Sequence, residues 1–296
     1  MASLIANDAL LIAMNRMYKS SPDYTAPSVF KVGVDQTTVT VNDTDLVHPV
    51  AISGTESVDN CDVTTGWTDS ADMTIAVNST LFKEGVASLS LAKDGTSTVN
   101  ANTSKTTTSR DFTSKELHIW IYVNTQATLD KFATTDCFTI RLGSGAANYS
   151  QWTKDKSFFS LGWNLIDDLT VSNRDSETGT HVLNASDFTL VQLTSTASGD
   201  TWVANEVLMD DIKIISSDDF TKNLTAGFPS IDESTKNVTF RAELSSVEAN
   251  GYLITGFGIF NTDSTAKLDS ADDFPSESKT DTDNFIFTAK NTFTLV

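Results

Sequence analysis

Few side chains in this 296-residue sequence could catalyse a reaction. The histidines are His48, His118 and His181, and none has a nucleophile or carboxylate at a recognisable catalytic spacing. Neither Gly-x-Ser-x-Gly nor His-Glu-x-x-His occurs. The pairs Asp167-Asp168 and Asp210-Asp211 could be imagined as hydrolase carboxylates, but such pairs arise by chance in an Asp-rich chain. We therefore predict that the protein is not an enzyme.

Aromatic side chains offer a different chemistry, because a flat apolar ring can stack on a sugar. Tyr149, Trp152 and Trp163 could line such a glycan-binding surface. Trp152 lies in the polar stretch NYSQWTKDK and is the best exposed candidate. The alternative is that these rings are buried, as tryptophans in β-sandwiches often are. Trp120, within the apolar run LHIWIYV, is expected in the core.

The charge balance excludes one class of partner. Lys and Arg total 20 against 39 Asp and Glu, the formal net charge is −19, and no basic cluster interrupts the acidic excess. Binding to nucleic-acid phosphates is therefore not expected. Three explanations stay open: a soluble, repulsive surface, binding of divalent cations, or adaptation to a salty medium.

The cysteines and the N-terminus restrict the class of protein further. Cys61 and Cys137 have neither a CxxC motif nor a histidine at metal spacing, so reduced core thiols are favoured over a single bridge. The apolar residues after Met1 are interrupted by polar ones, so no signal peptide is expected. No apolar run approaches the ~20 residues of a membrane span, and we expect no membrane insertion.

The composition, rich in Thr, Ser, Asp, Asn and Val, favours an all-β fold. Residues 3–19 form the only convincing helix, with Ser3 as a possible cap. The block from Ser53 to Ser217 holds all five tryptophans and several strand-like runs separated by polar turns, as in a β-sandwich. Within it, the polar stretch 94–111 is predicted to be a strand and loop joining the two sheets.

Residues 237–261 show the pattern of a β-hairpin. Apolar residues alternate with polar ones from Val238 to Leu244, and Asn250-Gly251 supplies a turn signal. An apolar run follows around Gly256 and Gly258, which predict a bulge or a close backbone approach. Residues 262–283 are predicted to be an acidic loop, and the alternating residues after it a final strand.

The segment 237–261, with its NVTF strand, EANGY turn and GIFN end, resembles a small domain of tailed-bacteriophage virion proteins. In that group a helix and a short strand region precede a similar hairpin, and a polar loop and a strand follow it. The resemblance implies a discontinuous virion-attachment β domain, residues 1–52 plus 218–296, interrupted by an insert at 53–217. An insert at an exposed loop is physically easy. Gly256-Phe257-Gly258 departs from the acidic residue expected there.

The insert resembles carbohydrate-binding modules of jelly-roll form. The matching segments are FKEGVASLSL, LHIWIYV, GWN and MDDIKI, in that order. Such modules often hold a structural calcium ion, and the resemblance implies Glu56, Glu84 and Asp211 as its ligands. Calcium takes six to eight oxygens, so carboxylates and carbonyls from separated segments suit it. Solvated carboxylates at strand ends are the alternative.

Together these resemblances imply a structural protein on the exterior of a tailed-phage particle, as a tail, fibre or head-decorating component assembled in the host cytoplasm. The split domain would attach to other virion proteins, the N-terminal helix would contact copies of the chain or an anchor, and the jelly roll would face outward towards a cell-surface glycan. The alternative is a glycan-binding accessory module in which sugar recognition is the main role. A polysaccharide depolymerase is not supported.

Overall fold

A computed structural model describes residues 4–5, 7–34, 39–46, 48–52, 56–83, 85–95, 98–246, 248–249, 252–263, 266–279 and 282–292. The chain divides into two compact units. The split unit comprises residues 1–54 and 217–296, and the inserted unit comprises residues 55–216.

The described residues contain two α-helices, several short 3₁₀ turns and a large number of strands. The helices are α1 (Asn7–Tyr18) and α2 (Gln126–Asp130). The 3₁₀ turns are Lys156–Phe158, Val171–Asn173, Leu183–Ala185 and Ser217–Phe220. The strands are β1 (Leu4–Ile5), β2 (Val29–Val34), β3 (His48–Val50), β4 (Glu56–Asp59), β5 (Trp67–Asp69), β6 (Met73–Asn78), β7 (Ser88–Lys93), β8 (Asn100–Arg110), β9 (Glu116–Val123), β10 (Phe138–Gly143), β11 (Tyr149–Lys154), β12 (Gly162–Thr170), β13 (Ser176–Thr178), β14 (Ser186–Thr194), β15 (Val207–Ile215), β16 (Lys222–Asn223), β17 (Ser230–Asp232), β18 (Asn237–Leu244), β19 (Leu253–Phe260), β20 (Leu268–Ser278) and β21 (Phe285–Thr292).

The inserted unit is a sandwich of two antiparallel sheets. Sheet I has the order β12-β9-β15-β7-β6, with β4 also paired to β15, and sheet II has the order β13-β11-β10-β14-β8-β5. The polar stretch 94–111 contains β8, which lies in sheet II beside β14. The prediction of an all-β fold with an N-terminal helix and an inserted jelly-roll sandwich is confirmed.

One hydrophobic core lies between sheets I and II. Sheet I contributes residues such as Leu89, Ile119 and Met209, and sheet II contributes Ile140 and Val191. All of these side chains are fully buried. Because side chains alternate across a strand, the residues between these core positions lie on the outer faces of the two sheets.

The split unit contains two further sheets. One has the order β1-β20-β19-β2-β16, with β3 also paired to β2, and the other has the order β17-β18-β21. The predicted helix is present as α1, which packs on β20 through buried residues such as Ala9 and Ile12. Ser3, the predicted cap, lies outside the described residues.

The predicted hairpin at 237–261 is wrong in its pairing. Strand β18 pairs with β17 and β21, whereas β19 pairs with β2 and β20 in the other sheet. The connection between the two strands is held by a distant part of the chain, since the Ala249 N–H donates to the Ile52 carbonyl at 3.1 Å. Asn250 and Gly251 lie outside the described residues.

The two glycines of β19 behave as predicted. The pairing of β19 with β20 shifts register between Ile254 and Gly256, which is a bulge. A Cβ added to Gly258 would lie 2.8 Å from the Phe260 ring and 3.0 Å from Leu268 Cδ1. Only glycine allows this close approach without displacing a neighbour.

The predicted acidic loop at 262–283 is also wrong, because β20 occupies its centre. Leu268 and Ala271 of this strand are buried and belong to a core cluster with Phe260. The carboxylate of Asp269 is buried as well and accepts a hydrogen bond from the Asn291 amide at 3.1 Å. The acidic composition therefore concealed a strand. Its buried apolar residues pack in a core cluster, and its buried carboxyl has a hydrogen-bond partner.

The cysteine side chains are free thiols, and both are buried. Burial raises the pKa of Cys61 well above its usual range and raises the pKa of Cys137 to about 12. Neither thiol is therefore a reactive thiolate near neutral pH. No helix within the described ranges is long and apolar enough to span a membrane.

Candidate functional site

Strand β9 presents two different faces. Its apolar odd-numbered residues from Leu117 to Val123 belong to the core between the sheets. His118, Trp120 and Tyr122 occupy the alternate positions and lie on the outer face of sheet I. The run LHIWIYV therefore supplies a core and a row of polar and aromatic side chains at once.

Tyr122 and Trp163 form an aromatic pair on this outer face. Trp163 lies directly opposite Tyr122 in the pairing of β12 with β9. The ring centroids are 5.3 Å apart and the ring planes are inclined at 56°. Both side chains are half-buried. The Tyr122 hydroxyl donates to the Asn124 amide oxygen at 3.4 Å. The aromatic pair is therefore anchored on the sheet while leaving ring surface exposed.

Trp120 lies beside the aromatic pair and is covered by a lysine. Its ring is 7% exposed, and the Lys83 ammonium lies 4.5 Å from its centroid. The backbone N–H of Lys83 donates to the carboxylate of Asp210 at 2.5 Å, and Asp210 lies opposite Trp120 on β15. Burial lowers the pKa of Lys83, and the charge of Asp210 opposes this shift. Trp120 is thus buried as expected, but on the outer face rather than between the sheets.

Ionisable side chains continue along the same face. His118 Nε2 lies 2.6 Å from a Glu116 carboxylate oxygen. Lys213, opposite His118, pairs with Asp211 at 2.5 Å, and both side chains are 4% exposed. Asp211 has a φ of 48° and belongs to a β-bulge in β15. The outer face of sheet I therefore combines half-buried rings with charged groups that are buried in pairs.

Trp152 is not part of an exposed surface, and the prediction that it is the best exposed ring is wrong. It lies opposite Ile140 on the inner face of sheet II and is 2% exposed. Its indole N–H donates to the Thr170 carbonyl at 2.8 Å, and its ring packs edge-on against Phe112. The polar residues around it mark the outward positions of a strand, and they do not indicate exposure of the ring.

Tyr149 lies on a different face from Trp163. It is half-buried on the outer face of sheet II, opposite Gly143, with the Arg141 guanidinium 4.5 Å from its ring centroid. Tyr149 and Trp163 therefore lie on opposite sides of the sandwich, with Trp152 in the core between the sheets. The three predicted rings do not form one site.

Two of the three predicted calcium ligands lie beside cations. The carboxylate of Glu56 is 3.4 Å from the ammonium of Lys115, and Asp211 pairs with Lys213. Glu84 lies outside the described residues. Among those described, no group of three or more His, Cys, Asp or Glu is arranged to hold a metal ion. The calcium site stays a prediction.

His181 lies between two serine hydroxyls. Its Nδ1 is 3.0 Å from Ser150 Oγ and its Nε2 is 2.8 Å from Ser186 Oγ. All three side chains are buried, and burial lowers the pKa of His181. The arrangement has no access for a substrate. The side chains of His48 and Asp168 lie outside the part of the chain that the structure describes.

No protein-family model and no curated protein matches the chain. Solved structures are similar to it. One is the family 11 carbohydrate-binding module of the cellulosomal cellulase Lic26A-Cel5E of Clostridium thermocellum, at 16% identity over 55% of this chain and 95% of that chain, with a TM-score of 0.39. Another is the C-terminal family 22 carbohydrate-binding module of Clostridium thermocellum Xyn10B, at 10% identity over 57% and 94% of the two chains, with a TM-score of 0.33.

Sequence reasoning missed Tyr122. Its signal was present, because LHIWIYV alternates and places Tyr122 on the face opposite the Leu and Ile residues. The apolar character of the whole run concealed this alternation. Lys83 carried no comparable signal, since its position over a ring depends on the path of a loop.

Proposed function

We propose that the inserted unit binds a glycan chain across the outer face of sheet I. The observation that supports this is the aromatic pair of Tyr122 and Trp163, two half-buried rings facing away from a fully packed core. Flat apolar rings with a polar edge suit a sugar, which has apolar C–H faces and hydroxyls around them. The protein acts by binding and not by catalysis.

The geometry of the pair favours one kind of glycan. Because the ring planes are inclined at 56°, they do not form a single flat platform. A separate glycan chain can turn between successive residues and meet both rings, whereas a flat crystalline surface cannot. The Lys83 ammonium, which lies over the Trp120 ring beside the pair, supplies a charged donor for hydroxyls at one side.

Truncation of the rings tests this proposal. We expect Trp163→Ala and Tyr122→Ala each to weaken binding to a glycan identified on an array by about tenfold, roughly 1.4 kcal/mol. Phe158→Ala is the matched control, because Phe158 is 39% exposed but lies in a 3₁₀ turn outside the sheet. Isothermal titration gives the affinities. Equal affinity for all four proteins, or silence across cell-surface glycans, contradicts the proposal.

We further propose that the split unit attaches this glycan-binding unit to the exterior of a tailed-phage particle. The proposal rests on the sequence resemblance of residues 237–261 to virion proteins, although these residues do not form the hairpin of that group, and on the way the insert joins the split unit. The chain leaves the split unit near Ile52 and returns near Asp219, and the Ile52 N–H donates to the Asp219 carbonyl at 2.7 Å. An attachment domain with adjacent entry and exit points can carry an insert without distortion.

Replacement of residues 53–217 by a short Gly/Ser linker tests the attachment. The adjacent ends predict that the shortened chain folds and still joins purified particles, while losing glycan binding. A folded product that is absent from particles contradicts the virion role and supports the alternative, an accessory module whose main role is sugar recognition. Particle composition can be measured by mass spectrometry.

A further inference from the structure

A second surface of the inserted unit is built around an arginine. Arg141 lies on β10 between Ile140 and Leu142, both of which belong to the core. Its side chain is therefore on the outer face of sheet II, opposite the face that carries the aromatic pair. Its cross-strand neighbours are Gln151 on β11 and Leu190 on β14.

Two neighbours hold the guanidinium of Arg141 in place. Its carbon lies 4.5 Å from the Tyr149 ring centroid, and its Nε donates to the Gln151 amide oxygen at 2.8 Å. Tyr149 in turn packs against the backbone opposite, where a Cβ on Gly143 would lie 2.7 Å from Tyr149 Cβ. These contacts use the Nε–H group, so the four N–H groups on the two terminal nitrogens of the guanidinium can donate to a ligand. Its fork is thus oriented before any ligand binds.

Arg141 differs from other arginines of the inserted unit in its charge partners. Arg174 pairs with Glu177 at 2.5 Å, and Arg110 lies 3.9 Å from Glu56. Within the described part of the chain, no carboxylate pairs with Arg141. This is unusual in a chain with a net charge of −19.

Neutral residues surround Arg141 on this face. Besides Gln151 and Leu190, the flanking outward positions of β10 are Thr139 and Gly143. Two acidic residues lie at the nearby sheet edge: Asp175 accepts hydrogen bonds from the Thr153 N–H at 2.6 Å and from its hydroxyl at 2.9 Å, and Glu177 pairs with Arg174. The face therefore presents a fixed positive charge, and none of the carboxylates that the structure describes pairs with it.

We propose that Arg141, Tyr149 and Gln151 bind the carboxylate of an acidic sugar, a hexuronate within a glycan chain. The two terminal nitrogens of a guanidinium match the two oxygens of a carboxylate, and stacking on Tyr149 keeps this fork in one plane. Thr178 lies opposite Tyr149 and Ser176 opposite Gln151 on β13, which places hydroxyl-bearing residues beside the fork. That setting suits a polyhydroxylated sugar better than an acidic peptide. This site is additional to the proposed site on sheet I.

Isothermal titration with galacturonate oligosaccharides in about 0.15 M salt tests the proposal. We expect Arg141→Gln to lower the affinity at least tenfold, and Arg141→Lys to lower it severalfold because it keeps the charge but loses the fork. Methyl esterification of the same oligosaccharides should abolish binding. Arg16→Gln is the matched control, since it removes the same charge from an exposed position of α1 in the split unit and should leave the affinity unchanged.

Several results would overturn the proposal: no binding of the acid oligosaccharide, equal binding of its methyl ester, or unchanged affinity in Arg141→Gln. Binding of poly-glutamate through Arg141 without binding of the uronate would instead assign an acidic peptide. Loss of uronate binding in Trp163→Ala but not in Arg141→Gln would place the acidic sugar on sheet I. That last outcome overturns the second site while supporting the first.

Discussion

Asp269 gives a prediction whose sign and size follow from its surroundings. The carboxyl lies on β20, is 8% exposed, and has the Asn291 amide as a hydrogen-bond donor at 3.1 Å. Burial raises its pKa from 3.8 to about 6, with the hydrogen bonds of Asn291 and Ser270 opposing the shift. No cation within the described residues pairs with it. The folded protein therefore favours the neutral, protonated form of the Asp269 carboxyl.

The raised pKa makes stability fall as the pH rises. Below about pH 3.8 the carboxyl is protonated in both folded and unfolded chains, and its favourable contribution is complete. Between pH 3.8 and about 6 the unfolded chain is ionised while the folded chain still holds its proton, so the contribution falls. Above about pH 6 the carboxyl is ionised in both states and the contribution is lost. The difference between a pKa of 3.8 and one of about 6 corresponds to roughly 3 kcal/mol of folding free energy, an upper value.

Asp269→Asn removes the charge and keeps an oxygen that can accept from Asn291. We expect the variant to match the wild type near pH 4 and to exceed it by up to about 3 kcal/mol at pH 8, or a rise in Tm of about 9 °C. Urea unfolding and thermal scans across this pH range measure the difference. Glu233→Gln, an exposed acid in the same unit, is the control for simple loss of charge.

An equal effect of Asp269→Asn at pH 4 and pH 8 would refute the reasoning, because the advantage must grow with ionisation. No gain at pH 8 would refute it as well, since it would mean that the ionised carboxylate carries no penalty in the fold.

Three further outcomes concern the inserted unit. Because burial lowers the pKa of His181, that unit should lose stability as the pH falls below about 6.5, the opposite trend to Asp269, and His181→Gln should reduce this loss in urea unfolding. Trp152→Ala should destabilise the unit by about 3–5 kcal/mol, because it empties a core position; a smaller loss than Trp163→Ala would contradict the burial of Trp152. If Glu56, Glu84 and Asp211 bind calcium, calcium at 1,000 times its Kd should stabilise the folded state by about 4 kcal/mol, and a Tm unchanged by chelator would exclude the site.

Local patterns predicted the elements of the fold well. Period-2 alternation located strands such as β9, β10, β14 and β15, and helical spacing located α1. Both patterns report which positions face a core, and this depends on nearby residues only. The twin glycines of β19 could likewise be read as a bulge and a close approach, since their conformational meaning is local.

Strand partners were not predictable in the same way. Strand β19 pairs with β2, whose residues lie more than 200 positions earlier, and no local feature of either strand specifies that choice. The turn-like segment between β18 and β19 therefore predicted a hairpin that the distant pairing overrides. Strand β20 was missed because its acidic residues mask the buried Leu268 and Ala271.

The candidate site shows the same division. The existence of ring-bearing strands was evident, but whether a given ring is exposed depends on which sheet faces which. Trp152 points into the core and Tyr122 points away from it, although their sequence surroundings suggested the reverse. The contact of Lys83 with Trp120 and that of Arg141 with Tyr149 join residues whose proximity only the sheets create.

The hydrogen bond between Ile52 and Asp219 also bears on the order of folding. Those residues close a loop of 166 residues, and for a flexible chain this costs roughly 2.5 kcal/mol more than closing a loop of ten. The inserted unit removes most of that cost once it is folded, because its first and last strands pair directly, with Glu56 opposite Ile214. The inserted unit should therefore fold first and bring the two sequence segments of the split unit close together before that unit folds.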